Sequence, residues 1–190
     1  GGAVGFFSYD MVRSFESLPD NTEDDLQVPD ALFVITDTLL VFDNVTQTIK
    51  IVSNAFVEDG DLEGLYKKTV DKINRLEEKL RSELPESFRK GVKTGNRSRD
   101  TSSFESNFEE EKFKDAVLKI KKYILEGDAI QVVLSQRLKF SISQDPFNIY
   151  RALRTINPSP YMYFLKFGDL EVVGSSPEVL VRLEGEKVEV

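Results

Sequence analysis

Three short stretches of this 190-residue chain carry side chains that can do chemistry. In the first, Gln131, Ser135 and Arg137 fall at alternate positions, which on a strand puts an amide, a hydroxyl and a guanidinium on one face. Donors aligned in that way can hold a polar ligand. A solvated strand face is the plainer reading of the same pattern. In the second, Gly174-Ser175-Ser176-Pro177-Glu178, the proline forces Ser176 to be extended and fixes its own φ. Glu178 is then expected to open a strand, sharing a face with Leu180 and Arg182. Held rigidly and desolvated, such a carboxyl can donate a proton; left in water it is a surface carboxylate near Arg182. The third stretch is Asn157-Pro158-Ser159-Pro160-Tyr161-Met162. Two prolines around a serine make a stiff, extended entry to a strand, and Tyr161, Met162 and Tyr163 can line a flat apolar slot or be core aromatics.

The elements that must position these groups follow from periodicity and punctuation. Ala3 to Tyr9 reads as a strand, and the acidic run Asp20 to Asp25, between Pro19 and Pro29, as a surface loop. Ala31 to Phe42 reads as one buried strand, Asp43-Asn44 as a turn, and Thr48 to Asn54 as the returning strand of a hairpin. Leu62, Leu65, Tyr66, Val70, Ile73, Leu76 and Leu80 recur at helical spacing, predicting a helix over Asp61 to Leu84 that Pro85 stops. Residues 86–104 are basic and poor in large apolar residues, and are expected to link two regions, 1–85 and 105–190. Ser106-Asn107-Phe108-Glu109-Glu110-Glu111 predicts a capped helix start, and Gly127 a left-handed helix end. Ile130 to Ile142 alternates like a strand, and Pro146 to Ile156 is a short helix with proline near its start. Tyr161 to Phe167, Leu170 to Gly174 and Glu178 to Leu183 are expected strands, with turns at Gly168-Asp169 and Glu184-Gly185-Glu186. Strands joined by hairpins, with a few long helices, argue an α+β fold of antiparallel β-sheets flanked by helices.

Composition excludes several classes. Apolar residues make up 40% of the chain and 14 residues are Phe, enough for a real core. The formal charge of −8 argues against nucleic acid and anionic membranes as partners. No run of about 20 apolar residues is present. There is no Cys, which fits a reducing, cytoplasmic setting, and no His, so neither a His-based triad nor a His-ligated zinc can be built from these residues. Gly1-Gly2-Ala3-Val4-Gly5 is glycine-rich but lacks the Lys-Ser/Thr of a phosphate loop and the following helix of a dinucleotide fingerprint. It also lacks the basic and apolar regions of a signal peptide. The chain starts without Met and ends on the strand-like Val188-Glu189-Val190, so it is expected to be a piece of a longer one.

Taken in order and spacing, Gly127 to Arg137, Ile149 to Arg154, Asn157 to Leu165 and Gly174 to Glu178 resemble the chorismate-utilising enzymes. Within that family they are most similar to the anthranilate synthase large subunits, as is the opening Gly1 to Asp10. The resemblance implies a lyase of tryptophan biosynthesis that converts chorismate and ammonia to anthranilate and pyruvate. It implies Mg²⁺ as cofactor, a glutamine amidotransferase partner that supplies the ammonia, and feedback inhibition by tryptophan. Glu178 then matches the general acid needed for loss of a ring hydroxyl, since hydroxide leaves poorly. Gln131 matches a position where isochorismate and salicylate synthases carry a lysine able to activate water. An amide cannot take that proton, so Gln131 favours a nitrogen nucleophile. Pro160, Tyr161 and Met162 match half of the tryptophan site. The other half, the Mg²⁺-binding glutamates and the catalytic histidine are expected outside these 190 residues, which alone are expected to be inactive and to hold no metal site. Aminodeoxychorismate synthase also has the glutamine, but its motifs usually differ from Val133-Leu134-Ser135 and Ser159-Pro160-Tyr161-Met162. A non-catalytic amino-acid-binding module is the remaining alternative.

Overall fold

The computed structural model describes residues 1–57, 60–84 and 104–190. The expected linker over 86–104 lies outside the described residues except for Phe104. The chain divides into two compact units, Gly1–Val92 and Lys93–Val190. All strand pairs among the described residues are antiparallel and two-stranded, and helices accompany them, giving an α+β architecture.

In the first unit β1 (Gly2–Phe7) pairs with β2 (Ala31–Thr36) from Gly2↔Thr36 to Phe7↔Ala31. The strand ends at Phe7, short of the expected Tyr9, because Tyr9–Ser14 coils into a 3-10 helix. Ser8 closes the ladder: its N–H donates to the Asp30 carbonyl at 2.7 Å and its hydroxyl to the Asp30 carboxylate at 2.7 Å. Gly5 has a specific reason to lack a side chain. A Cβ there would sit 1.9 Å from the Leu32 carbonyl oxygen, whereas one on Gly2 would meet nothing within 4 Å.

The single buried strand expected over Ala31–Phe42 is two strands, broken at Asp37 and half exposed. β3 (Thr38–Asp43) leaves β1–β2 and pairs with β4 (Thr48–Ser53). Asp37 is fully engaged in making the break. Its carbonyl accepts from Asn54 N at 2.7 Å, and its carboxylate from Thr38 Oγ1 at 2.9 Å and Lys72 Nζ at 2.7 Å. These donors hold the carboxyl below the ordinary carboxylate range, with Lys72 the largest cause. The β3–β4 turn is organised by Asp43, which accepts from the N–H groups of Val45 and Thr46 and from Lys50 Nζ at 2.9 Å. Helix α1 (Leu62–Arg81) is capped by Asp61, whose carboxylate accepts from Gly64 N at 2.9 Å, and packs on β4. It stops before the expected Leu84 because Ser82 turns extended, donating its hydroxyl to the Lys79 carbonyl.

The second unit begins with β5 (Glu105–Ser106) and α2 (Glu110–Glu126). The expected side-chain cap is absent: Ser106 and Asn107 are spent elsewhere. The Ser106 hydroxyl bonds the backbone of Phe108, and Asn107 Oδ1 accepts from Arg137 N at 2.8 Å. Gly127 does end the helix at φ 87°, letting Asp128 N donate to the Tyr123 carbonyl. The expected strand over Ile130–Ile142 shrinks to β6 (Leu138–Lys139), paired with β5. A strand exists only where a neighbour takes its backbone groups; Asn107 takes those of Arg137, and no described segment pairs with 130–136. Ile130 is 97% exposed and Val133 82%.

Helix α3 (Pro146–Ile156) starts with Pro at its first turn, and its cap Asp145 accepts from Phe147 N at 2.8 Å. Hairpin β7 (Tyr161–Phe167) and β8 (Leu170–Ser176) turns at Gly168, φ 63°. α3 lies on this hairpin through Phe147, Tyr150 and Phe164, the Phe147 and Phe164 rings meeting edge to face at 5.4 Å. The last hairpin joins β9 (Arg182–Glu184) to β10 (Lys187–Glu189) through Gly185, φ 61°. No described residue is fully buried.

Two tests follow from these contacts. Gly5→Val should cost about 1–3 kcal/mol by overpacking, while Gly2→Ala leaves the melting temperature nearly unchanged. The Asp43 carboxyl is lowered from 3.8 to about 2, chiefly by Lys50. Its ionised form therefore supports the turn above pH 3.8, and that support fades as pH falls through about 2. A carboxyl NMR titration should find the midpoint near 2 and move it upward in Lys50→Ala.

Candidate functional site

The second and third chemical stretches meet at the open end of the β7–β8 hairpin. Asn157 ends α3, its N–H donating to the Leu153 carbonyl at 2.8 Å. The Pro158-Ser159-Pro160 entry is then pinned to the end of β8 by two hydroxyls. Ser175 Oγ donates to the Asn157 carbonyl at 2.9 Å, and Ser159 Oγ donates to the Ser176 carbonyl. With proline on both sides, residues 158–160 have little backbone freedom left to lose, so each such bond fixes position at small entropic cost.

The ladder sets Tyr161 opposite Ser176, Met162 opposite Ser175 and Tyr163 opposite Gly174. Side chains alternate along a strand, so Tyr161 and Tyr163 share one face. Met162 and Phe164 share the other, the one Phe164 turns toward Phe147 and Tyr150 of α3. Tyr161, Met162 and Tyr163 therefore do not line one flat slot. Gly174 is what allows the Tyr163 ring to lie across the ladder: a Cβ at 174 would fall 2.0 Å from its Cζ. Farther along the hairpin Lys166 pairs with Glu171, which holds the ammonium to higher pH than usual.

Glu178 does not open a strand. It sits in the bend between β8 and β9, exposed to solvent, because Pro177 takes the chain out of the ladder right after Ser176. Its carbonyl accepts from Ser176 Oγ at 3.1 Å, while its carboxylate has no hydrogen bond or ion pair among the described residues. Arg182 turns elsewhere. It donates from Nη2 to the Tyr161 hydroxyl at 3.2 Å and lies 3.5 Å from the Glu189 carboxylate. Gln131 is exposed in the segment 130–136, which carries no strand pairing among the described residues, and it makes no hydrogen bond among them. The structure thus brings Pro160, Tyr161 and Met162 close to the Glu178 loop. No hydrogen bond or ion pair among the described residues joins Gln131 to either.

Pattern reading overlooked the serine hydroxyls and the Tyr161–Arg182 bond. The signal available was a serine between two prolines, and a serine pair ahead of a third. Among the described residues no group of three or more His, Cys, Asp or Glu side chains is placed to hold a metal ion. No helix among them is long and apolar enough to cross a membrane.

The family model described as chorismate binding enzyme matches residues 1–190. The chain is 46% identical over 189 residues to anthranilate synthase component 1 of Acetivibrio thermocellus, covering 100% of this chain and 38% of that protein. It is 43% identical over 189 residues to the Aquifex aeolicus component 1, covering 100% of this chain and 37% of the relative. The fold superposes on anthranilate synthase component I from Streptococcus pneumoniae TIGR4 with a TM-score of 0.79 at 34% identity, covering 99% of this chain and 41% of that one. The chain thus spans less than half the length of the relatives it matches.

Substituting Gly174 by Val should push the Tyr163 ring off the ladder and destabilise the protein by about 1–3 kcal/mol. A lowered melting temperature together with a changed Tyr163 ring environment in NMR is the expected result. An unaltered melt would show that the ring is free to move aside.

Proposed function

Because the chain belongs to the chorismate binding enzyme family, we propose that the whole protein is the large subunit of anthranilate synthase, converting chorismate and ammonia to anthranilate, pyruvate and water. The observation that carries this reading is the match of the entire chain to relatives bearing that name. The aminodeoxychorismate synthase reading and the amino-acid-binding module have no comparable support.

The chemistry divides into addition of ammonia at ring C2 with loss of the C4 hydroxyl, followed by elimination of pyruvate. The C4 oxygen must leave as water, so it needs a proton in the first step. Glu178 is the proposed donor. In the described structure it faces water, and the desolvation that raises a carboxyl into the donor range must come from what covers it during turnover. Gln131 has the complementary role of leaving water unactivated: its amide binds no proton in this pH range, so a passing water keeps its own. Ammonia brings its own lone pair and needs no such base. In this reading a glutamine amidotransferase subunit supplies the ammonia in the cytoplasm, and tryptophan binds against Pro160, Tyr161 and Met162.

Mg²⁺ belongs to the proposal as the ion that would neutralise substrate carboxylates. The described residues make no site for it, so no step above is routed through it. The lyase assignment rests on the pyruvate elimination.

The whole protein, given chorismate, Mg²⁺ and ammonium, should generate anthranilate fluorescence. Replacing Glu178 by Gln should lower kcat by about 10²–10⁴-fold, the usual contribution of a general acid, with little change in KM. Full turnover in Glu178→Gln would remove the acid assignment. Isochorismate or salicylate as the wild-type product would remove the reading as a whole.

A further inference from the structure

Helix α1 segregates its charge. Lys68, Lys72, Arg75 and Lys79 recur at spacings of four, three and four, which sets all four cations along one side of the helix. The apolar side, with Leu65, Ile73 and Leu76 half buried, packs on β4. On α2 the lysines are balanced: Lys112, Lys114 and Lys122 each lie within 3.6 Å of a glutamate. On α1 Lys72 pairs with Asp37 at 2.7 Å, but the side chains of Lys68, Arg75 and Lys79 make no hydrogen bond or ion pair among the described residues. Beside this stripe, between α1 and β3, lies an open groove of about 490 Å³ walled by Thr38, Leu39, Leu40, Lys72, Arg75 and Leu76. That is the size of a small-molecule site. Its polar side chains are mostly committed. The Thr38 hydroxyl donates to the Asp37 carboxylate at 2.9 Å and lies 3.3 Å from the Ser53 hydroxyl. Asp37 neutralises Lys72, so Arg75 is the uncompensated charge in the wall.

We infer that this groove binds a small organic monocarboxylate with a ring-sized apolar body, its carboxylate held by Arg75 and its body by Leu39, Leu40 and Leu76. One uncompensated cation matches one negative charge. A phosphate or a dicarboxylate would have to draw Lys72 away from Asp37. A guanidinium grips a carboxylate through two parallel N–H bonds, which suits a ligand with a single planar anionic end. The three leucines offer apolar surface that a ring covers, and covering it is favourable. Lys68 and Lys79 do not line the groove, but they add positive potential on the same side of the helix, in a chain whose formal charge is −8. The groove lies within the first unit and shares no residue with Gln131, Pro160, Tyr161, Met162 or Glu178. The inference therefore goes beyond the anthranilate synthase reading and does not depend on it.

The probe is 4-fluorobenzoate, titrated into the whole protein with its leucine methyls labelled for NMR. Excess chorismate, without ammonium, keeps the probe out of the catalytic pocket. An aromatic ring displaces the resonances of methyl groups beside it, so those of Leu39, Leu40 and Leu76 should shift together, with a Kd on the order of 1 mM for so open a groove. The uncharged 4-fluorobenzamide has the same shape and should bind about tenfold more weakly. Arg75→Gln should weaken 4-fluorobenzoate about tenfold, the effect of losing one charge-assisted contact. Lys68→Gln, outside the groove, should change it by less than about twofold, because exposed charges at that remove are screened. Both variants keep a good helix former at an exposed position, so α1 should stay folded, and anthranilate production should be unchanged in both. Equal affinity for the benzamide, wild-type affinity in Arg75→Gln, or shifts confined to other methyls would overturn the inference. So would a whole protein in which these methyls do not respond, since a carboxylate-bearing segment from the rest of the chain would then already fill the groove. A whole protein that makes no anthranilate would remove the enzyme reading and leave this inference standing.

Discussion

The seven-rung pairing of β7 with β8 is the constraint from which the site follows. Its register sets Tyr161 against Ser176 and Tyr163 against Gly174, and so decides which hydroxyl meets which carbonyl at the open end. A slip of one residue would turn Met162 to the face now held by Tyr161, and the Arg182 contact would be lost. The register is secured at both ends of the ladder. At the closed end Gly168 supplies the left-handed turn, and Lys166 pairs across to Glu171. Along its length Gly174 makes room for the Tyr163 ring. On the far face Phe164 packs on Phe147 and Tyr150, so the helix behind the hairpin reports the same alignment.

Where local chemistry decides structure, the sequence was readable. Asp145-Pro146 marks a helix start because the carboxylate caps and the proline pays nothing for its missing N–H, and α3 begins there. Gly127 ends α2 because only glycine takes φ 87° without strain. Both turn glycines of the second unit behave likewise. The two largest failures involve partners distant in the chain. Nothing near Asp37 announces that Asn54 and Lys72 will claim its carbonyl and carboxylate, so the Val-Ile-Thr-Asp-Thr-Leu-Leu run reads as continuous strand. The alternation of 130–136 is genuine, yet alternation describes side chains, and a ladder needs backbone partners that no described segment provides there.

The chemical residues divide in the same way. Their identities were legible through resemblance, since Gln131 and Glu178 stand in recognisable surroundings. Their placement was not. Glu178 was expected at the head of a strand because Pro177 fixes φ, but a fixed φ is equally compatible with leaving the sheet, which is what the chain does. The serines that organise the loop carry no periodic signature at all. A hydroxyl finds a carbonyl only after the strands have chosen their register.

The break at Asp37 has a mechanical consequence for the first unit. A continuous strand would make β1–β2 and β3–β4 one stiff plate, with load carried through covalent backbone and an unbroken ladder. Instead, the two strand pairs meet at Asp37, whose carboxylate is bonded by Lys72 of α1 and whose carbonyl is bonded by Asn54. The ion pair at that joint is exposed, so it weakens as counterions accumulate. The break therefore confines the salt-sensitive contact to the joint, while the two ladders on either side are held by backbone hydrogen bonds.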